Sequence, residues 1–240
     1  MTFAAGTAWA ALAAVAWVAP IAAAQIRPSA VPVVVVEDWR EQPLGRAGIP
    51  LGWEGRSWGR AAYDLSIETR APGDPRKVLH LLSERDNSII SKRIAPVDAR
   101  VHQVLEWEWR AVTLPAGADS RRAATDDQVG QVYVVFPRFP AAARSRIIGY
   151  VWDTTAPAGE MFRSPGSAMV TYVIVRSGPA DLGRWIVERR NVLEDFKRIY
   201  GEEPGEPVEA VTLGIDSNDT GTRAEAYVGA IRFRTPDARD

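Results

Sequence analysis

The dominant hydropathy pattern of this chain is alternation with a period of two. It is clearest where Leu105, Trp107 and Trp109 interleave with Glu106, Glu108 and Arg110. A strand sends successive side chains to opposite faces, so this stretch predicts one apolar and one charged face. Residues 132–136 are apolar at every position and residues 146–153 are apolar on both faces, as in strands covered on both sides. Residues 33–36 form a first strand. Residues 62–69 and 77–83 flank Ala71-Pro72-Gly73-Asp74-Pro75 and predict a hairpin. Further strands are predicted over 88–94, 168–175 and 185–188. Residues 208–215 and 224–233 read as an antiparallel pair joined by the loop from Asp216 to Gly221.

One helix interrupts this series. Asn191 as N-cap with Glu194 three residues on makes a capping box, Val192, Phe196 and Ile199 share an apolar face, and Gly201 closes the end. Roughly ten strands with regular turn signals, one short late helix and no fixed repeat predict an all-β protein, an antiparallel β-sandwich of jelly-roll type. Two long loops stand out. The glycine-rich stretch 45–59 carries Trp53 and Trp58 as aromatic plugs, and residues 115–127 hold Asp119, Asp126 and Asp127 with Arg121 and Arg122 and no periodicity. Loops of the second kind are functional or disordered.

Composition adds a compartment. Residues 1–25 carry no charged side chain and are apolar from Ala8 to Ile21, ending at Ala22-Ala23-Ala24-Gln25. This predicts a secretory signal peptide over 1–24, with a retained anchor as the alternative; the apolar run falls short of the about 20 residues a span needs. A linker over 25–32, a single domain over 33–234 and a tail over 235–240 follow, in a periplasmic or secreted protein with no membrane insertion after cleavage. The absence of cysteine leaves the core to hold the fold without disulfides and excludes thiol nucleophiles and zinc–thiolate sites. With 29 basic and 30 acidic residues and a net charge of −1, no overall field argues for nucleic acid.

Three segments resemble a bacterial family catalogued as a domain of unknown function, number three-zero-four-seven: LEWEWR with LPAGADSRRAATDDQ and VYVVF; IIGYVW; and RNVLEDFKRIYGEEP with GIDSNDTGTRAEAYVGAIRF. The resemblance runs from about Trp39 to Phe233. It implies exported proteins with a β-sandwich of the galactose-binding-like or carbohydrate-binding-like kind, and it implies no particular activity.

Candidate chemistry divides into three places. The charged face of Glu106, Glu108 and Arg110, with Tyr150 and Trp152 as an aromatic platform, combines what a carbohydrate site uses; equally, the tryptophans are core and the charges are in water. Asp126 and Asp127, if a second carboxylate such as Glu108 or Asp153 faces them across the sheet, are the carboxylates a glycoside hydrolase or polysaccharide lyase requires; equally, they belong to a solvated or Arg-pinned loop. Asp216, Asn218 and Asp219 present oxygens for a structural Ca²⁺, but the twelfth position of an EF-hand loop is here Tyr227, and Asx turns explain the same residues. His80 and His102 have no metal-ligand spacing, and no GxSxG is present. The leading expectation is non-catalytic binding of a carbohydrate or glycan-like ligand; the alternatives are a lyase or hydrolase and a structural protein of the cell envelope.

Overall fold

The computed structural model describes Met1, residues 33–55 and residues 61–236. The expected signal peptide, linker and Trp58 lie outside the described residues, as does the tail beyond residue 236.

Among the described residues thirteen strands and two α-helices follow in the order β1 Val33–Glu37, β2 Glu54–Gly55, β3 Asp64–Thr69, β4 Lys77–Glu84, β5 Asn87–Val97, β6 Val104–Thr113, β7 Gly130–Phe136, α1 Ala141–Arg144, β8 Arg146–Asp153, β9 Met161–Arg163, β10 Val170–Ser177, β11 Ile186–Asn191, α2 Val192–Tyr200, β12 Val208–Asp216 and β13 Arg223–Arg234. The first sheet runs β11-β6-β13-β4-β3, with β1 also on β13; the second runs β2-β5-β12-β7-β8-β10-β9. The predicted β3–β4 hairpin forms. The predicted helix is α2, with the Asn191 side chain accepting from Glu194 N at 3.0 Å and Gly201 at φ 74°. No helix among the described residues is long and apolar enough to cross a membrane.

Two features depart from the pattern-based expectation, the parallel pairing of β8 with β10 and the connection of β12 to β13, and a third settles a sheet assignment the pattern leaves open. The sandwich is not wholly antiparallel, because β8 and β10 pair in parallel. After β8 the chain runs back as β9 outside a gap, and β10 then fills that gap antiparallel to β9. The segments 105–110 and 132–136 do not share a sheet: β6 lies in the first and β7 in the second. Likewise β12 and β13 are not a hairpin, since the loop after Asp216 carries the chain from one sheet to the other.

The core lies between the sheets and follows from strand alternation. Leu105, Trp107 and Trp109 of β6 point inward against Tyr150 and Trp152 of β8, with ring centroids 5.4 Å apart for Trp107–Tyr150 and 5.5 Å for Trp109–Trp152. Three of the four polar tips are served: Tyr150 OH donates to Asp195 Oδ2 at 3.0 Å, Trp152 Nε1 to Gly178 O at 3.2 Å and Trp109 Nε1 to Glu188 Oε1 at 3.3 Å, whereas Trp107 Nε1 is buried without a partner among the described residues. Trp53 does plug its loop, stacked on Trp39 at 5.6 Å. The loop before β7 is ordered around Asp153, wholly buried, which accepts from the backbone N–H groups of Ser120, Thr155 and Ala156 at 3.0, 2.6 and 2.6 Å.

Candidate functional site

The outer face of the second sheet is the floor of a groove of about 820 Å³. Register decides what lies on it. Arg93, Ala210, Val135, Ile147 and Val170 are paired across β5, β12, β7, β8 and β10, and form one row. The next row is Ser91, Thr212, Tyr133, Gly149 and Tyr172, and the one beyond begins Ile89, Gly214, Gln131. The floor therefore grades from aliphatic through hydroxyl and phenol to amide. Walls are added by Pro137, Ala141 and Ser145 on one side, by Ser164, Ser167 and Met169 after β9, and by Asp126, Asp216, Asn218 and Asp219 at the polar end.

Two glycines shape this floor. A Cβ on Gly149 would stand 2.6 Å from the Tyr133 ring and 3.1 Å from that of Tyr172, and one on Gly214 would stand 2.0 Å from Gln131 Oε1. The missing side chains let the neighbouring ones fold over the bare backbone. Tyr133 and Tyr172 are 8% and 5% exposed, so little of either ring meets the groove.

A directed chain of hydrogen bonds leads to the polar end. Tyr133 OH donates to Gln131 Oε1 at 3.0 Å, the Gln131 amide donates to Gln128 Oε1, and Gln128 Nε2 donates to Asp126 Oδ1 at 2.6 Å. Asp126 has no basic partner in this network. Burial, with Asp219 and Asp127 nearby, raises its carboxyl to about 7. Asp216, desolvated and facing Asp127, is pushed up to about 9, and burial together with Asp127 also raises Asp219. With values of about 7 and about 9, the Asp126 and Asp216 carboxyls hold protons near neutrality and can donate hydrogen bonds as well as accept them.

The sequence-predicted residues are thus redistributed. Asp126 lines the groove; Asp127 does not. Wholly buried, Asp127 accepts from Asp219 N at 3.0 Å, Thr220 N at 2.7 Å and Thr220 Oγ1 at 2.5 Å, so both its oxygens are spent on the loop that ends the groove. Tyr150 and Trp152 are corrected from platform to core: they share the inward face of β8, and at 0% and 1% exposure they meet no ligand. Glu106, Glu108 and Arg110 lie on the outer face of the first sheet, across the sandwich from Asp126, so Glu108 cannot complete a carboxylate pair with it. Glu106 is buried against Arg189 at 2.6 Å and Arg234 at 2.9 Å, Glu108 pairs with Arg70 at 3.2 Å, and Arg110 lies over the Tyr227 and Trp185 rings at 4.3 and 5.4 Å. These groups face one another. Within the set Asp216, Asn218 and Asp219, Asn218 Nδ2 donates to Asp219 Oδ1 at 2.9 Å, and among the described residues no group of three or more His, Cys, Asp or Glu is placed to hold a metal ion.

Pattern reading missed Gln131, Tyr133, Thr212 and Tyr172 as site residues. The available signal was the run of apolar residues in β7 and β8, where a groove covers the second face.

Residues 53–232 match the family described as "Protein of unknown function (DUF3047)". No curated protein matches the chain. Among solved structures it is similar to a family 11 carbohydrate-binding module of a cellulosomal cellulase of Clostridium thermocellum, with 10% identity, TM-score 0.44, and 86% of this chain and 96% of that one covered. It is also similar to a family 30 carbohydrate-binding module of another cellulosomal cellulase of the same organism, with 12% identity, TM-score 0.45, and coverage of 86% and 99%. The xyloglucanase domain of a type three effector from Sinorhizobium fredii, in complex with cellobiose, has 8% identity, TM-score 0.41, and coverage of 76% and 93%.

Proposed function

We propose that this chain, which belongs to the DUF3047 family, is an exported binding protein whose groove on the second sheet holds a carbohydrate or glycan-like ligand. The observation that carries the reading is the graded floor: Val135 and Ile147 offer apolar contact while Thr212 and the Asp126 carboxyl offer hydrogen bonds along one continuous groove. A sugar ring has the same two-sided chemistry, with C–H faces for the aliphatic row and hydroxyls for the polar one. Those hydroxyls both donate and accept, and so do carboxyls that carry protons near neutrality.

A groove-filling substitution tests this. Ala210→Trp places a large side chain on the floor beside Val135 without entering the core, and it is expected to abolish retardation of the protein in native gels containing soluble polysaccharide while leaving the thermal transition within about 2 °C. If native protein runs unretarded through β-glucan, xyloglucan, xylan and pectin alike, the reading fails. A second reading, glycoside cleavage with Asp126 as general acid, is favoured by the raised proton affinity of that lining carboxyl; release of reducing ends that Asp126→Asn abolishes would select it.

A further inference from the structure

Phe139 is 92% exposed, and every other aromatic side chain among the described residues is buried or half-buried. Its position is specific. Pro137 and Ala141, two residues before and two after it, both line the groove wall, so the Phe139 backbone stands within about 7 Å of each. The turn itself is tied down: Arg138 pairs with Glu206 at 3.2 Å, Arg144 Nη1 donates to Phe139 O at 3.4 Å, and Ala143 N and Arg144 N both bond Pro140 O at 3.0 Å. An anchored turn thus carries a bare phenyl ring on the segment between two residues of the groove wall. Leaving such a side chain in water forgoes on the order of 2 kcal/mol of burial.

The groove lacks what this ring would supply. Its floor aromatics, Tyr133 and Tyr172, are almost wholly buried, and the lip at Pro137 stands at the aliphatic end, where Val135, Ile147 and Val170 offer one apolar surface. We propose that Phe139 is a ligand-binding residue of this groove, an aromatic lip that stacks on the C–H face of a sugar ring lying over Val135 and Ile147. The inference rests on the carbohydrate reading above and adds to it the position of the aromatic contact. Sandwiching the ring between the aliphatic floor and a phenyl face buries both of its C–H faces, which fits a pyranose with equatorial hydroxyls better than a flat or highly charged ligand.

The test compares Phe139→Ala, Phe139→Trp and Ala210→Trp in native affinity gels containing barley β-glucan, xyloglucan, xylan or pectin, with sedimentation velocity on each variant. The expected result is that Phe139→Ala weakens association by about tenfold, that Phe139→Trp stays within about threefold of native, and that Ala210→Trp eliminates binding. Because Phe139 is exposed, neither of its variants is expected to shift the thermal transition by more than about 1 °C. Native-like binding by Phe139→Ala, with Ala210→Trp inactive, would overturn the lip and leave the groove reading standing. Absence of native retardation in all four gels would overturn both. A change from dimer to monomer in Phe139→Ala, with unaltered polysaccharide binding, would reassign the ring to contact with a second copy of this chain.

Discussion

Asp126 and Asp127 are adjacent in sequence and meet opposite surroundings. Asp127 faces inward to three donors of the residue 219–220 segment, whereas Asp126 meets the groove with one amide and one phenol as partners. Charge-assisted hydrogen bonds contribute about 1.5–3 kcal/mol each, and a buried group left without them costs as much again. Asp127→Asn keeps one acceptor oxygen and turns an NH₂ toward N–H and O–H donors, so a loss of about 3 kcal/mol is expected in urea denaturation. Asp126→Asn at pH 5 is expected to change stability by less than about 1 kcal/mol, because the carboxyl is already protonated there. Equal losses in the two variants would show that the environments are not distinct. Sequence alone pairs these two carboxylates, although neighbours on an extended segment point apart. The donors that claim Asp127 come from about 92 residues downstream, beyond any local pattern.

At the scale of elements, alternation located nearly every strand of the sandwich, and each of its failures has a physical cause. β2, β9 and α1 are two, three and four residues long, too short to show a period. Which sheet a strand joins is a property of distant partners, so the crossings of the residue 115–129 and 216–222 segments were not legible. The clean apolar runs of β7 and β8 were read as burial on both faces, yet Val135 and Ile147 are half-buried on a groove floor. Tyr150 and Trp152 were misassigned because strand parity tells which residues share a face and not which face is inside. Gly149 marks the element that matters most. It lies in β8 opposite Tyr133 and Tyr172, and the one added carbon of Gly149→Ala would need both rings to move. The expected cost is about 1–3 kcal/mol of stability, with weakened polysaccharide retardation as the tyrosines rise into the groove. An alanine variant as stable as native, with unaltered retardation, would mean the rings are free to shift and the floor is not built on that glycine.

For the whole molecule, the polar end of the groove makes stability depend on pH in an unusual direction. The half-buried Asp74 and Asp98 and the buried Asp119 are held below the ordinary range by hydrogen bonds from Arg76, Arg100 and Arg121, so their contributions are lost only as pH falls into the acid region. Asp126 and Asp216 act oppositely. Their folded values are raised from 3.8 to about 7 and to about 9, chiefly by burial, and the charged groups facing them are the further carboxylates Asp127 and Asp219. A carboxyl that binds its proton more tightly when folded contributes fully below its unfolded value and loses that contribution as pH rises through its folded one. The thermal midpoint is therefore expected to be highest near pH 4–5 and to fall steadily toward pH 9 at fixed ionic strength, in contrast to proteins whose carboxylates are all paired. Asp126→Asn is expected to remove the part of the fall that ends near pH 7, and Asp216→Asn the part that extends toward pH 9. A midpoint that is flat or rises between pH 5 and pH 9 would mean that these carboxyls are ionised in the folded protein. Polysaccharide retardation measured over the same range joins the two arguments, because a ligand hydroxyl that accepts from the Asp126 proton loses that bond as the group ionises, and binding should then weaken through about pH 7 in native protein and not in Asp126→Asn.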